Sequence, residues 1–200
     1  MPDIILATRN PGKAEQVRAM FQGSSWTIQT MAEAGVVGEA VENGLTLAQN
    51  ALAKTLFVSR ELPTQWVMGE DTGLFIYALN GEPGVRTARW AGEHATTEEI
   101  MRYALHRLAG HENRFARFRT VVVVAQPSGL THTFEGWIYG TILCEPQGTP
   151  PPKLPYSAIF LPYGSDKTLA QMTPEELRAL THRGKAFQKV RAFLECRGEQ

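Results

Sequence analysis

The 200-residue sequence contains little cysteine, with only Cys144 and Cys196. The two lie far apart and outside any C-x-x-C pattern, so nothing indicates a disulfide framework or a cysteine-rich zinc site. No apolar stretch approaches the roughly 20 residues that a membrane-spanning helix needs. The segment 1–6 is too short and too acidic for a signal peptide. We therefore expect a cytoplasmic protein with reduced thiols and no membrane partner.

An excess of charge is also missing, because Lys and Arg together number 20 and Asp and Glu together number 20. A chain without net charge has no global field to attract a nucleic-acid backbone, which argues against nucleic acid as a partner. A local cluster could still bind a small anion. Hydrophobic residues make up 43% of the sequence, enough for a sizeable core. We predict a single domain over residues 1–200, built as two lobes.

Apolar patterns along the chain predict interleaved strands and helices, and hence an α/β fold. The strands are expected at 4–7, 26–30, 66–69, 118–125 and 131–143. The helices are expected at 13–21, 46–60, 96–108, from Pro174 onward and at 185–196. The apolar face of the helix at 46–60 is expected to include Leu45, Ala48, Leu52, Thr55 and Leu56. Because two long strands follow each other with only a short link, we predict a mixed sheet. The segment 147–155 is rich in proline and glycine and is expected to be a surface loop.

A turn with phosphate-binding chemistry, Thr8–Lys13, lies between the first strand and the first helix. A helix N-terminus offers free N–H groups and a positive dipole to an anion, and Thr8, Asn10 and Lys13 can add hydrogen bonds and a charge. The loop lacks the G-x-x-x-x-G-K-[ST] spacing of a Walker A loop. On its own, the segment is more typical of an N-cap and a tight turn.

Two acidic segments are candidates for a metal site. Glu70 and Asp71 stand side by side at the expected end of a strand, before a glycine turn. Carboxylates suit a hard cation such as Mg²⁺, and one of them could deprotonate a water molecule, but an ordinary acidic turn explains this segment about equally well. Glu42, on another glycine turn, is by itself more typical of a solvated loop.

A basic segment, Thr181–Lys185, brings His, Arg and Lys together at the start of the last helix. Such a cluster can bind phosphate or a purine edge. A basic surface patch is the more common meaning of the pattern in isolation.

Taken together and in this order, these segments resemble the inosine triphosphate pyrophosphatase family, whose members hydrolyse non-standard purine triphosphates such as ITP, dITP and XTP to the monophosphate and pyrophosphate. The resemblance spans nearly the whole chain. It rests on the segments 7–13, 42–46, 50–54, 70–74, 83–85, 88–92 and 181–186. It implies an elongated mixed β-sheet with flanking helices, two lobes around a central cleft, a Mg²⁺ cofactor and a homodimer.

The resemblance also implies roles for individual residues. The positions that match the family's triphosphate-binding residues are Thr8, Asn10 and Lys13. The positions that match its magnesium site are Glu42 and Asp71, and Asp71 also matches the proton acceptor of the reaction. The other substrate-binding candidates are Lys54 on the helix that lines the cleft, the hydroxyl of Thr72, Tyr156 in the base-recognition segment, and the pair His182 and Arg183 that reads the 6-oxo edge of the base.

The base-recognition segment departs from the family pattern. A glycine-rich run is replaced by Pro150–Leu154, an aspartate by Ser157, and a lysine near the His-Arg pair by Leu177. Gln49 and Gln171 stand where acids are common. Because the phosphate and metal parts are retained, a changed base preference explains this pattern better than loss of activity.

Three functions stay open on the sequence alone. The first is Mg²⁺-dependent hydrolysis of ITP or XTP. The second is the same reaction on another modified nucleotide or a pyrimidine nucleotide. The third is nucleotide binding with weak catalysis.

Overall fold

The computed structural model describes residues 3–197. Its strands are β1 (Asp3–Leu6), β2 (Thr27–Thr30), β3 (Trp66–Ile76), β4 (Pro83–Gly84), β5 (Phe115–Ala125), β6 (Thr131–Ile142) and β7 (Phe160–Pro162). Its α-helices are α1 (Pro11–Met20), α2 (Leu47–Glu61), α3 (Thr97–Arg107), α4 (Pro174–Leu180) and α5 (His182–Glu195). Short 3₁₀ helices cover Tyr77–Leu79, Thr87–Arg89 and Pro155–Ala158.

The strands form one mixed sheet in the order β2-β1-β3-β5-β6-β7, with β4 paired to β3 outside this path. β1 runs parallel to both of its neighbours, and every other pairing is antiparallel. The mixed α/β fold predicted from the sequence is therefore confirmed. The division of the chain into two lobes stays a prediction.

Most helices begin at a residue whose side chain caps the free N–H groups of the first turn. Asn10 caps α1, directly before Pro11. Capping boxes begin three further helices, with the pairs Thr46 and Gln49, Thr96 and Glu99, and Thr173 and Glu176. Such boxes satisfy backbone donors that the helix itself leaves unpaired. The side-chain amide of Gln49 therefore accepts the same backbone hydrogen bond that an acid would accept at this position.

The predicted turn at Glu70–Gly73 is wrong, because β3 continues through these residues to Ile76. The glycines that suggested a turn are required for close packing instead. A Cβ on Gly69 would lie 2.7 Å from the Ala51 carbonyl oxygen, and one on Gly73 would lie 2.8 Å from the Gly84 carbonyl oxygen. Both distances are far inside ordinary van der Waals contact, so only glycine fits where α2 and β4 approach the strand.

The predicted apolar face of α2 is confirmed in part, because Thr55 is buried and Ala48 and Leu52 pack against the buried cluster under the helix. The residues that the helix buries are Leu47, Asn50, Ala51, Thr55 and Val58, whereas Leu45 precedes the helix and is exposed. Asn50 turns inward because its amide has partners there: its oxygen accepts from the Gly44 N–H at 2.9 Å, and its nitrogen donates to Asp71 at 3.2 Å. A satisfied polar group can thus replace an apolar one in the buried face.

Helices cover both faces of the sheet. α1 and α5 pack on the face that contains Met68, Val122 and Val124. α2 packs on the opposite face, against Val121 and Val123. α5 begins at His182, three residues before the predicted start, with Thr181 as its cap.

The segment between β6 and the 3₁₀ helix at 155–158 has no helix or strand, as the proline-rich sequence predicts. Its predicted end is wrong, because Pro155 is buried and begins that 3₁₀ helix. Both cysteines are exposed and unpaired. Among residues 3–197, none of the helices has the length and apolar character needed to cross a membrane.

Candidate active site

A cavity of about 390 Å³ gathers every site residue predicted from the sequence. Its walls include Thr8, Asn10, Lys13, Glu42, Lys54, Asp71, Thr72, Tyr156, His182 and Arg183. These residues come from loops, helices and a strand that are far apart in the chain. The fold therefore brings the phosphate, metal and base candidates to one place.

The cavity lies beside a gap in the sheet along one edge of β3. β1 pairs with β3 only as far as Met68, and β4 pairs with it only from Leu74. Between them, residues 69–73 pair with β5 alone in the described part of the chain. Since neighbouring strand residues face opposite sides of a sheet, this open edge lets Asp71 from one face and Thr72 from the other line the same cavity.

The loop Thr8–Lys13 forms one end of the cavity. The Asn10 N–H donates to Thr8 Oγ1 at 3.2 Å, and Asn10 Oδ1 accepts from the Lys13 N–H at 3.2 Å. Gly12 gives the neighbouring proline-rich loop room to approach, because a Cβ there would lie 2.8 Å from the Pro152 carbonyl oxygen. The result is a capped helix N-terminus that faces the cavity together with the Lys13 side chain, an arrangement suited to phosphate.

Lys54 lies between two carboxylates. Its Nζ donates to Glu42 Oε2 and to Asp71 Oδ1, each at 3.0 Å. Burial lowers the pKa of Lys54, but the two carboxylates outweigh it and raise that pKa above its ordinary value. Asn50 holds the second oxygen of Asp71, and Arg89 donates to the Glu42 carbonyl oxygen at 2.6 Å. Both acids are thus fixed around one positive charge.

The two adjacent acids of β3 do not share one cation, contrary to the simplest interpretation of their sequence. Asp71 faces α2, whereas Glu70 faces α1 and α5. Glu70 Oε2 accepts from Arg183 Nε at 3.1 Å, and Glu70 Oε1 lies 3.6 Å from Lys13 Nζ. Burial raises the pKa of Glu70, but Arg183 and Lys13 outweigh it and lower the pKa to about 2. Burial lowers the pKa of Lys13 in spite of this carboxylate.

Arg183 is held by three partners. Besides Glu70, its Nη1 donates to Gln16 Oε1 at 2.5 Å and its Nη2 to Thr72 Oγ1 at 3.3 Å. Thr72 Oγ1 also lies 2.7 Å from Thr120 Oγ1. The guanidinium is therefore oriented by groups on α1 and the sheet.

His182 and Tyr156 form a more apolar part of the cavity. The His182 ring stacks on Phe118 with centroids 4.7 Å apart, and burial lowers its pKa well below the ordinary value, so the imidazole is neutral. The Tyr156 hydroxyl donates to the Thr87 carbonyl oxygen at 2.8 Å, and burial raises its pKa. A ligand with a planar, uncharged ring would fit this part of the cavity.

The residues that depart from the family pattern are well accommodated. Ser157 donates to the Leu154 carbonyl oxygen at 2.7 Å, and Gln171 accepts from the Thr168 N–H at 2.9 Å. Leu177 lines the cavity and packs with the apolar cluster around Phe118. Lys153 and Leu154 of the proline-rich loop also line the cavity. Ser157, Leu177 and part of the proline-rich loop therefore line the cavity together with Tyr156 and His182, whereas Gln49 and Gln171 do not line it.

The sequence interpretation gave Glu70 the role of a metal candidate instead of a partner of Arg183, and it missed three further supports of the site, Asn50, Thr120 and Gln16. For Glu70 a signal was present, because apolar residues continue after the two acids through Leu74, Phe75 and Ile76. An acid inside such a run lies on a strand and needs a buried partner. The partner, Arg183, is 113 positions away, and no local pattern identifies it.

Glu42 and Asp71 fit a Mg²⁺ ion, because both direct an oxygen to one position, where the Lys54 ammonium now bridges them at 3.0 Å. Within residues 3–197 no three His, Cys, Asp or Glu side chains converge as a complete ligand set. Magnesium is commonly held by one or two carboxylates together with waters and substrate phosphates, so two acids suffice.

One α/β cavity thus combines three parts: a capped helix N-terminus with a lysine, a carboxylate pair fit for a hard cation, and the more apolar part around His182 and Tyr156, called the ring pocket below. This combination defines the class of phosphate-binding hydrolases. The chain belongs to the Ham1 family, whose model matches residues 4–193.

The comparisons with individual proteins extend over the whole chain. The sequence is 37% identical over 199 residues, 98% of each chain, to the dITP/XTP pyrophosphatase of Caldanaerobacter subterraneus subsp. tengcongensis. It is 35% identical over 198 residues, again 98% of each chain, to the dITP/XTP pyrophosphatase of Bacillus subtilis. The solved structure of the Staphylococcus aureus Ham1 protein superposes with a TM-score of 0.83 at 31% identity, covering 99% of this chain and 100% of that one.

Proposed function

We propose that this protein is a Mg²⁺-dependent nucleoside triphosphate pyrophosphatase that hydrolyses non-standard purine nucleotides such as dITP, ITP and XTP to the monophosphate and pyrophosphate. One observation carries the proposal: the Thr8–Lys13 helix start, the Glu42 and Asp71 pair, and the His182 and Arg183 pair line the same cavity. The names of the two relatives, dITP/XTP pyrophosphatase, support the same substrate class.

In the proposed reaction, water attacks the α-phosphorus and the bond to the oxygen that bridges the α- and β-phosphates breaks. Asp71 takes the proton of the attacking water, and Asn50 keeps its carboxylate in place. Lys13 and the positive dipole end of α1 stabilise the charge on the departing pyrophosphate. Mg²⁺ held by Glu42 and Asp71 would supply further charge stabilisation on the phosphate oxygens.

Lys54 has two roles in this proposal. Without a metal ion, its ammonium neutralises Glu42 and Asp71. If Glu42 and Asp71 held a metal ion, the Lys54 ammonium would be free to bind a phosphate oxygen of the substrate, because Lys54 also lines the cavity. In this proposal one side chain neutralises the two acids in the absence of the metal ion and binds the substrate in its presence.

A second function is favoured by the altered ring pocket. Ser157 and Leu177 stand where the resemblance implies an aspartate and a lysine, so two polar contacts to the base are absent. The same hydrolysis with another modified base, or with a pyrimidine, is the alternative. Nucleotide binding with weak catalysis is a third possibility, in which triphosphates bind without turnover.

The deciding experiment measures pyrophosphate release from ITP, XTP, dITP and the common nucleoside triphosphates, with Mg²⁺ and with EDTA. We expect release only with Mg²⁺, and at least a hundredfold preference for one of the non-standard purines, which corresponds to about 2.7 kcal/mol. A flat profile, or a pyrimidine as best substrate, would establish the alternative. Inactivity on every nucleotide would reject the proposal.

Asp71→Asn is the matched variant, because it keeps the size and the Asn50 contact but cannot take a proton. We expect its turnover to fall by at least about a hundredfold. Glu135→Gln, which removes a carboxylate from a half-exposed pair with Arg119, serves as control and should keep full activity. Full activity of Asp71→Asn would contradict the assigned role.

We also propose a cytoplasmic homodimer. The two exposed, unpaired cysteines are consistent with a reducing compartment, and the second subunit is implied by the resemblance. Light scattering after gel filtration would measure the molar mass directly, and a monomer at all concentrations would reject the dimer.

A further inference from the structure

Glu70 is fully enclosed, with a side chain only 1% exposed, and other side chains separate it from the cavity. Its carboxylate lies beneath the part of the wall formed by Lys13, Thr72 and Arg183. A buried carboxylate is costly unless charged or hydrogen-bonding partners compensate it. Here Arg183 and Thr72 bind one of its oxygens, and Lys13 lies near the other.

The bond to Glu70 uses the Nε–H of Arg183, which is the group nearest the aliphatic chain of that side chain. A hydrogen bond at this atom fixes the rotation of the guanidinium plane, because the plane rotates about the Cδ–Nε bond and the Nε–H direction rotates with it. Gln16 and Thr72 then hold the two terminal nitrogens. The planar group that faces the cavity is thus fixed from behind by a carboxylate that no ligand reaches.

We propose that Glu70 is a positioning residue for base selection: it fixes the plane of Arg183, and through that plane it determines how sharply the protein distinguishes one base from another. The inference rests on the proposed function, in which Arg183 reads the base. It assigns to Glu70 no contact with substrate and no share in the chemical step.

The test uses a ratio, because a ratio separates positioning from general damage. Glu70→Gln keeps the shape and an oxygen that can accept from Arg183, but it removes the charge that anchors the guanidinium. Changes at the phosphate end, including any change at Lys13, affect all nucleotides alike and cancel when the best and worst substrates are compared. Selectivity measured as the ratio of kcat/KM values therefore reports on the base alone.

We expect Glu70→Gln to reduce this ratio by about tenfold to a hundredfold, since a small misplacement of a binding group has effects of this size. Glu135→Gln, whose carboxylate pairs with Arg119, should leave the ratio unchanged, because neither residue lines the cavity. An equal loss of kcat/KM on all nucleotides, with the ratio preserved, would overturn the inference and leave Glu70 a purely structural residue. A wild-type protein that hydrolyses no nucleotide would instead reject the proposed function.

A second measurement needs no Glu70 variant and so does not depend on its folding. The side-chain Nε–H signal of Arg183 in the NMR spectrum of the wild-type protein, assigned by its loss in Arg183→Lys, should exchange slowly with water. Slow exchange supports the anchor, because only a bonded and buried Nε–H is protected. A rapidly exchanging signal would overturn it.

Discussion

At the scale of the residue, the site is organised by charges that neutralise one another. Lys54 lies 3.0 Å from Glu42 and from Asp71, and Glu70 lies between Arg183 and Lys13. The residues that line the cavity were predictable, because their chemistry is local and their order matched a known pattern, while their roles stay a prediction. Their pairings were not, because each ion pair joins distant segments and depends on which face of a strand a side chain occupies.

Lys54→Met tests the idea that the ammonium competes with a metal ion. Removing a positive charge that lies between two carboxylates should tighten Mg²⁺ binding in the absence of nucleotide by about tenfold, or ~1.4 kcal/mol. Turnover should fall about a hundredfold, because the phosphate contact is lost as well. Calorimetric titration with Mg²⁺ alone measures the first effect, and Lys189→Met, on the exposed side of α5, is the control. Weaker Mg²⁺ binding by Lys54→Met would contradict this interpretation.

At the scale of the element, the sequence predicted all five α-helices and five of the seven strands within residues 3–197, and it missed the short strands β4 and β7. The errors at β3 and α2 share one cause. Gly69 and Gly73 suggested a turn, yet they are strand residues against which α2 and β4 pack closely. Asn50 was not included in the predicted apolar face of α2, yet it is buried because Asp71 and Gly44 bind its amide. Glycine and asparagine were interpreted by their local preferences, whereas tertiary contacts determined their positions.

Gly136 on β6 provides a test of how tightly α5 is seated. A Cβ there would overlap the His182 carbonyl oxygen and would lie 2.6 Å from the Ala186 nitrogen. Because both are backbone atoms, the helix must move, and His182 and Arg183 move with it. We expect Gly136→Ala to destabilise the fold by at least about 2 kcal/mol and to lower activity.

Urea unfolding and pyrophosphate release measure these two effects of Gly136→Ala. Gly129, in the turn that joins β5 and β6, is the matched control, because it has φ +85° and open space around a Cβ. Asparagine tolerates that conformation, so Gly129→Asn should cost no more than about 1 kcal/mol and keep full activity. Equal stability of Gly136→Ala and the wild type would show that α5 can shift freely.

Glu33, in the turn after β2, gives a dependence of stability on pH. The backbone N–H of Thr30 and the Arg18 guanidinium lower its pKa to about 2. Because the folded state binds the proton less tightly than the unfolded state, the ionised Glu33 stabilises the fold above the ordinary pKa of the group, and this contribution is lost as pH falls toward 2.

Urea midpoints of the wild type and Glu33→Gln, measured at several pH values, test this dependence. The wild type should be the more stable protein at pH 6, and the difference should shrink steadily below about pH 4.5. A difference that stays constant down to pH 3 would contradict the assignment.

At the scale of the whole molecule, the cavity is lined by segments from both ends of the chain, since Thr8 and Arg183 both contribute to its wall. A ligand that contacts both should stabilise the entire fold. A nucleotide with Mg²⁺ at a hundred times its Kd should raise the free energy of unfolding by about 2.7 kcal/mol. Thermal unfolding with the nucleotide, with Mg²⁺, with both and with EDTA measures the effect, and a shift with unrelated anions alone would contradict specific binding.

The gap along β3 has a consequence for how the protein tolerates change. Where the edge of residues 69–73 has no neighbouring strand within residues 3–197, the main-chain groups of β3 on that edge are left without a strand partner beside the cavity, and we expect some of them to contact a ligand. No point mutation removes a peptide carbonyl, so contacts made there survive substitutions that alter side chains. A longer β1, by contrast, would place its own backbone where the ligand belongs. The length of the buried strand β1, which is usually regarded as a feature of the fold alone, is here a condition for activity. We therefore expect insertions at the end of β1 to reduce activity more than most single substitutions around the cavity.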